Sequence, residues 1–263
     1  MTRGSTRSKQ SSAFSERAPS LPKIWFCVPA HGRVELTRVC LRQLVRTCES
    51  LAEGGVQASA VVIADDENLE AAADLGFGTI ESSAPLGSKF NDGMQFASMN
   101  GVTHVVPFGS DNFIDHRILR DLRDDEIRCF RHGAMVSEDG KRLAHLKVRF
   151  PGGLGVRVIP TEVLEGCGFR PAEEDIGRGI DASTLRGIKR GNRRPPKLVY
   201  FDSHPLSIVD WKSSENLNSY RGYLRFRDGA ESTTPFDDLA DVYPGEALDE
   251  MRAVYGVRRA VAA

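Results

Sequence analysis

The chain is 263 residues long, 40% hydrophobic and 27% charged, with a formal net charge of −1. That balance suits a globular protein with a substantial core and excludes a global field that would draw it to nucleic acid or a membrane surface. No apolar run reaches the ~18 residues of a spanning helix, and five cysteines (Cys27, Cys40, Cys48, Cys129, Cys167) without CxxC spacing point to reduced thiols in a cytoplasmic setting, not a disulfide frame or zinc site.

Residues 1–21 are rich in Ser, Arg, Thr and Lys, lack an apolar h-region, and are expected to form a disordered tail. KIWFCVP at 23–29 reads as a buried strand followed by a turn through His31, Gly32 and Arg33. Residues 34–51 carry Leu36, Val39, Cys40, Leu44, Val45 and Cys48 at helical spacing, and Gly54-Gly55 ends that helix. ASAVVIADD at 58–66 is a second apolar strand ending in two aspartates. A short helix at 68–75, a brief strand at 79–81, a helix at 89–99 and a strand at 104–108 follow. Strand and helix alternating every ~20–30 residues predict a doubly wound, mostly parallel α/β sheet.

The second half changes character, which predicts a smaller mixed region beside the parallel sheet. A strand is expected at 127–130, and a hairpin over 134–148 with its turn at Asp139-Gly140. Pro151-Gly152-Gly153 reads as a flexible joint, before a strand at 156–159 and a short helix from Thr161. Residues 166–191 give an acidic loop, a glycine-spaced turn and a helix starting near Asp181. KLVYFD and LSIVDW are two further strands around Ser203-His204-Pro205. The last thirty residues are acidic, with one closing helix from Gly245. The expected division is one domain over 22–230 (a nucleotide-binding half at 22–125, an acceptor and catalytic half at 126–230) and an acidic C-terminal extension at 231–263.

HVVPFGSDNFID, residues 104–115, is an apolar strand running into a loop with Asp111, Asn112 and Asp115. Open α/β sheets bind ligands beyond the carboxyl ends of their strands. Carboxylate and amide oxygens suit Mg²⁺ or Mn²⁺, which commonly share a substrate's phosphates. With the Gly-Ser-Lys turn at 87–89, this suggests a nucleotide-diphosphate site bridged by a metal ion. The GxxxxGK[ST] and GxGxxG loops are both absent, which argues against kinase, ATPase and dinucleotide-dehydrogenase chemistry. Residues 186–197 hold six basic residues and no acidic or aromatic one, a segment that could clamp a diphosphate, meet an anionic acceptor, or form a solvated turn.

The order and spacing of these pieces, over roughly residues 23–211, resemble the GT-A glycosyltransferases, especially small inverting enzymes of phage and bacteria that use nucleotide-diphosphate sugars. VPAHGR resembles their Pro-x-x-x-Arg opening, IADDEN the second-strand aspartate on the nucleotide base, and GSKFNDG the Gly-Lys-x-x-Asn-x-Gly segment. FGSDN stands in place of the metal-binding Asp-x-Asp and keeps only its last carboxylate; EEDIGRGID resembles the region of the catalytic base; VDWKSSENLNSY resembles the ending of some members.

The resemblance implies a GT-A-like fold and transfer of a sugar, with inversion, from a donor such as a UDP-sugar to a hydroxyl. Pro29, Ala30, Arg33, Asp65, Asp66, Lys89, Asn91, Asp92 and Ser110 would bind the donor. Asp111, Asn112 and His204 would hold Mn²⁺ or Mg²⁺. The base would be Asp181, at a helix N-terminus where the dipole favours an anion, or else Glu174 or Asp175. The acceptor could be a protein, a glycan, a small molecule or a modified DNA base, and the location cytoplasmic, in the host cytoplasm if phage-encoded. The alternatives are a sugar-phosphate nucleotidyltransferase, for which a Gly-rich, Lys-bearing loop after the first strand is missing, and a non-catalytic nucleotide-sugar-binding module.

Overall fold

The computed structural model describes residues 22–137, 139–147, 156–177, 179–211 and 232–261. The N-terminal tail, the joint at 151–153 and residues 212–220 of the expected ending lie outside the described residues. Strand β1 (Lys23–Pro29) leads into helix α1 (Val34–Glu53), then β2 (Gln57–Ala64), α2 (Asn68–Asp74), β3 (Gly78–Glu81), α3 (Leu86–Met99) and β4 (His104–Pro107). These first elements fall where hydrophobic periodicity places them. β1 and β2 are near-continuous apolar runs because both of their faces are covered, as parallel sheets require. Ile24, Phe26 and Val28 face one layer with Ala60, Val62 and Leu44, while Cys27, Val61 and Ile63 face the other with Met94 and Ala97 of α3. That is the period-2 alternation of a strand read on two buried faces.

After β4 the chain leaves this sheet. β5 (Asn112–Ile114) and a 3-10 turn (His116–Leu119) precede β6 (Glu126–Phe130), β7 (His132–Val136), β8 (Arg142–Lys147), β9 (Arg157–Pro160), α4 (Thr161–Glu165), α5 (Ile180–Gly191), β10 (Lys197–Phe201), β11 (Ile208–Trp211), β12 (Ser232–Pro235) and the closing helix α6 (Gly245–Val261). The larger sheet has the order β10-β6-β9-β4-β1-β2-β3, and only β9 pairs antiparallel to its neighbours. A second, mixed sheet has the order β12-β8-β7-β11-β5. The hairpin expected over 134–148 is β7–β8 of that second sheet, with Gly140 at φ 66° in its turn. β5 and β12 lie where the sequence suggests loop: three residues of β5 carry too little pattern to register as a strand, and pairing with β11 is what makes it one.

Helix α1 joins the two sheets. Leu41, Leu44 and Leu51 pack on the parallel sheet, whereas Leu36, Val39 and Cys40 pack with Phe113, Val209, Trp211 and Tyr243 beneath the mixed sheet. Phe113 sits 5.1 Å from Trp211 and 5.3 Å from Tyr243, centroid to centroid, at the heart of that second core. Helix α6 closes it with Ala247, Leu248 and Met251, all buried. Glu250 reaches back to Arg42 Nε at 2.7 Å and Arg46 Nη2 at 2.9 Å on α1. The acidic C-terminal stretch is therefore packed on α1, the helix that starts in the crevice described below. Among the described residues no helix is long and apolar enough to cross a membrane.

His104 is buried at the amino end of β4, with Thr103 Oγ1 2.9 Å from Nδ1 and the Arg123 carbonyl 3.3 Å from Nε2. Burial pushes its pKa below 6.5, outweighing the Arg123 carbonyl and the nearby Asp124 carboxylate. The folded state holds it neutral, so its stabilising contribution is complete above pH 6.5 and is lost as pH falls below that value. The melting temperature should drop on acidification from pH 6.5 downward, and His104→Gln should flatten that part of the curve; parallel profiles would show that another group governs it. In urea unfolding, Leu248→Ala should cost about 2–5 kcal/mol. Glu250→Gln, breaking partly exposed ion pairs, should cost no more than about 1 kcal/mol.

Candidate functional site: a crevice at the strand ends

The carboxyl ends of β1, β2 and β4 meet on one edge of the larger sheet. β1–β2 pairing runs one residue past β1, with Ala30 N–H donating to the Ile63 carbonyl at 2.9 Å. Gly32 (φ 58°) and Arg33 (φ 49°) then turn the chain into α1 through two consecutive left-handed residues. For arginine that conformation is unfavourable by roughly 1–2 kcal/mol, so its surroundings must hold it. Asp66 does this: its carboxylate accepts from Gly32 N–H at 2.7 Å and from the Asn68 amide at 2.6 Å, and Asn68 donates to the Gly32 carbonyl at 3.1 Å. Burial works against the charge on Asp66, but the N–H groups of Gly32 and Asn68 outweigh it and hold its pKa below the ordinary carboxylate value.

Asp65 points the other way, into the crevice. Its carboxylate lies 3.4 Å from His31 Nδ1 and 3.4 Å from Lys89 Nζ, and the His31 hydrogen bond, followed by the Lys89 charge, lowers its pKa. Lys89, buried in the first turn of α3, also donates to the Ala30 carbonyl at 3.3 Å. Among the described residues, His31, Asp65 and Asp66 are the one group of three metal-type side chains whose ligand atoms lie within 4.8 Å of one another. Pro29 and Ala30 are both buried and shape the floor of the crevice through their main chain.

On the β4 side, Arg33 Nη1 donates to Asp111 Oδ2 at 2.9 Å and Nη2 to Ser110 Oγ at 3.3 Å. The Arg33 and Asp111 side chains are only 16% and 15% exposed, so solvent screens the pair weakly. Burial alone would weaken the guanidinium charge; Asp111 beside it, with Asp210 of β11 further off, outweighs burial and raises its pKa. Cys40, buried below the pair, is pushed far above the ordinary thiol value by burial and then by the Asp111 charge, and so stays neutral. Asn112 is buried with its Oδ1 accepting from Gly109 N–H at 2.9 Å and its Nδ2 3.4 Å from the Val209 carbonyl. His204 lies on the exposed loop after β10, its Nδ1 accepting from Leu206 N–H at 3.3 Å. Asp115 caps the 3-10 turn by accepting from Arg117 N–H, a local structural task.

The acidic region crosses the N-terminus of α3. Gly87 N–H donates to the Ile176 carbonyl at 3.0 Å and Ser88 N–H to the Glu174 carbonyl at 3.2 Å. Residue 87 must be glycine, because a Cβ there would collide with the Glu173 carbonyl. Gly187 of α5 allows the same approach against Pro171, so the loop is gripped from both helices. Asn91 is spent on this grip, donating to and accepting from the main chain of Ala172 at 2.9 and 3.0 Å. Arg170 bridges Asp92 at 3.1 Å and Glu174 at 2.8 Å. The structure thus turns Asn91 and Asp92 toward the loop, not toward the crevice floor.

The three candidate bases are now distinguishable. Glu174 is engaged by Arg170, and Asp181, in the first turn of α5, lies 3.3 Å from the buried Arg157 Nη2 while Arg157 Nη1 donates to the Asp181 carbonyl at 3.1 Å. Asp175 is exposed and has no ion-pair partner among the described residues. Arg157 escapes sequence reading, since no motif surrounds it and only strand pairing brings it to this edge, whereas His31 and Asp210 fall within VPAHGR and VDWKSSENLNSY, whose spacing assigns them no role. The exposed cations Lys189, Arg190, Arg193 and Arg194 sit at the end of α5 and before β10, at the amino edge of the sheet and away from the crevice.

No known family profile matches the chain, and neither does any curated protein. Solved structures do. S. aureus TarS, residues 1–349, aligns at TM-score 0.51 and 13% identity over 73% of this chain and 60% of that one. The same protein in complex with UDP aligns at TM-score 0.52 and 15% identity over 73% and 61%. A Drosophila β1,4-galactosyltransferase 7 complex with manganese, UDP-Gal and xylobiose gives TM-score 0.47 and 13% identity over 71% and 68%. The chain spans about three fifths of the length of the TarS structures. At these identities the likeness is one of fold: this chain has the mixed α/β architecture of the GT-A-type glycosyltransferases.

Proposed function

We propose that the protein is a glycosyltransferase that takes a sugar from a nucleotide-diphosphate donor, a UDP-sugar above all, and transfers it with inversion to an acceptor hydroxyl. The observation that carries this reading is the crevice itself. Asp65 and Lys89 face each other across the β1 and β2 ends, the Arg33–Asp111 pair lies at the β4 end, and Asp175, a carboxylate with no ion-pair partner among the described residues, rides on the loop gripped by α3. The UDP complex of the TarS neighbour supports the choice of nucleotide.

In this reading the base and ribose lie along Pro29, Ala30 and Asp65, whose carboxylate accepts from a base N–H. Lys89 faces a phosphate. The acceptor oxygen attacks the anomeric carbon as the bond from that carbon to the diphosphate oxygen breaks; the pair of electrons leaves with the diphosphate, and the acceptor proton passes to a carboxylate. Asp175 takes that role. Among the described residues it is the candidate not engaged by an arginine, and a carboxylate committed to an ion pair gives up that pairing when it accepts a proton. Asp181, favoured on sequence, instead anchors α5 to Arg157. The diphosphate also needs a cation at the β4 end, where the family resemblance expects Mn²⁺ or Mg²⁺.

Donor hydrolysis by water reads the chemistry without a known acceptor. Release of UDP from UDP-hexoses should fall about 10²–10⁴-fold in Asp175→Asn with donor affinity near wild type, the pattern of a lost proton acceptor. Asp181→Asn should change turnover much less and lower the melting temperature instead. The reverse ranking would return the base to Asp181. Lys89→Met should weaken UDP binding by about tenfold, the loss of one charged contact worth roughly 1.4 kcal/mol. Binding of UDP-sugars with no turnover for any of them would favour a non-catalytic binding module.

A further inference from the structure

Asn91 stands where the family resemblance expects a donor ligand, yet its side chain is wholly buried and committed elsewhere. Its amide nitrogen donates to the Ala172 carbonyl at 2.9 Å, and its amide oxygen accepts from Ala172 N–H at 3.0 Å. An asparagine amide carries a donor and an acceptor side by side, so it pairs with both main-chain groups of one residue as a neighbouring strand would. Lys89 lies two residues earlier on α3, about 200° away around the helix axis. It faces the crevice, 3.4 Å from Asp65. The helix between them is seated on the sheet by Phe90, Met94 and Ala97, which pack with Cys27, Val61 and Ile63. At Gly93 a Cβ would press on Cys27 and Ile63, so glycine there lets α3 lie close to β1 and β2. Asn91 therefore ties the acidic loop to a helix whose place on the strand ends is fixed by packing.

We infer that Asn91 is a positioning residue: through Ala172 it sets where the acidic loop holds Asp175 relative to Lys89. The inference rests on the donor reading and on the role of Asp175 proposed above, and adds the residue that keeps the two in register. Asp175 follows Ala172 closely in this loop, and its neighbours are bonded to the start of α3 through the Glu174 and Ile176 carbonyls. The Arg170 bridge from Asp92 to Glu174 is partly exposed, and such pairs contribute little. Both Asn91 bonds are buried, and removing that side chain leaves the N–H and carbonyl of Ala172 without their partner. From the other side, Ser183 Oγ on α5 accepts from Glu173 N–H at 2.7 Å. A loop released from Asn91 thus stays attached to α5 and shifts relative to α3, which carries Asp175 away from its place beside Lys89. A displacement of about 1 Å at a reacting group can lower turnover about 10²-fold. Donor contacts are untouched by that shift, because Asn91 turns away from the crevice.

The test measures UDP release from UDP-hexoses and calorimetric UDP affinity on the purified full chain. Asn91→Ala should lower turnover about 10–100-fold while UDP affinity stays within about twofold of wild type. Gly87→Ala, whose Cβ would displace the Glu173 carbonyl, should give the same split from a second residue, and it decides the matter should Asn91→Ala fail to fold. Hydrogen exchange should quicken over residues 172–177 in both variants and keep its wild-type rate in β1 and β2. Wild-type turnover in the folded variants would overturn the inference. So would UDP affinity falling in step with turnover, which returns Asn91 to the donor contacts. A wild type that releases UDP from none of the sugars removes the transfer reading and this inference with it, whereas turnover untouched in the variants defeats the inference alone.

Discussion

One ion pair holds the candidate site in register. Arg33 opens α1, and Asp111 lies in the turn between β4, in the parallel sheet, and β5, in the mixed sheet. Asp111 also accepts from Trp211 N–H through its carbonyl at 2.9 Å, so the same residue is tied to β11. The pair therefore fastens three pieces that share no continuous backbone: the β1–α1 turn, the sheet-to-sheet crossing and the strand that carries Asp210. Breaking a largely buried pair from one side leaves the other charge without compensation, which is far costlier than the net worth of the intact pair. The left-handed turn at Gly32 and Arg33, itself secured by Asp66, is strained for an arginine and delivers that side chain to Asp111.

Arginines then sort the acidic groups. Arg33 takes Asp111, Arg170 takes Asp92 and Glu174, and Arg157 takes Asp181. Two carboxylates are left without an arginine among the described residues: Asp65, beside His31 and Lys89, and the exposed Asp175. That distinction matters more for chemistry than the number of acidic residues near the crevice, because proton acceptance needs a carboxylate whose protonation does not break a pair.

The two sheets divide the labour. The parallel sheet sets the strand ends that carry Asp65 and Asp111, and the mixed sheet is sealed by α6 on α1. Gly87 and Gly187 let the acidic loop approach both α3 and α5 closely enough for main-chain bonding, which brings Asp175 beside the first turn of the helix bearing Lys89.

Much of this was legible in the sequence. Continuous apolar runs at 23–29 and 58–64 alternate with amphipathic segments, and that pattern alone dictates a two-face parallel sheet, with Asp65, Asp66 and Asp111 at strand ends and Lys89 in a helix first turn. Such patterns are local and repeat over many residues, so one chain suffices to read them. The choice among neighbours was not local. That Asp66 serves the backbone while Asp65 faces the crevice, that Asn91 grips Ala172, that Asp181 belongs to Arg157, and that Arg33 stands on Asp111 across 78 residues of chain all depend on side-chain contacts between distant segments. No period in the sequence encodes those pairings; they exist only once strand order and register have brought the partners within hydrogen-bond reach.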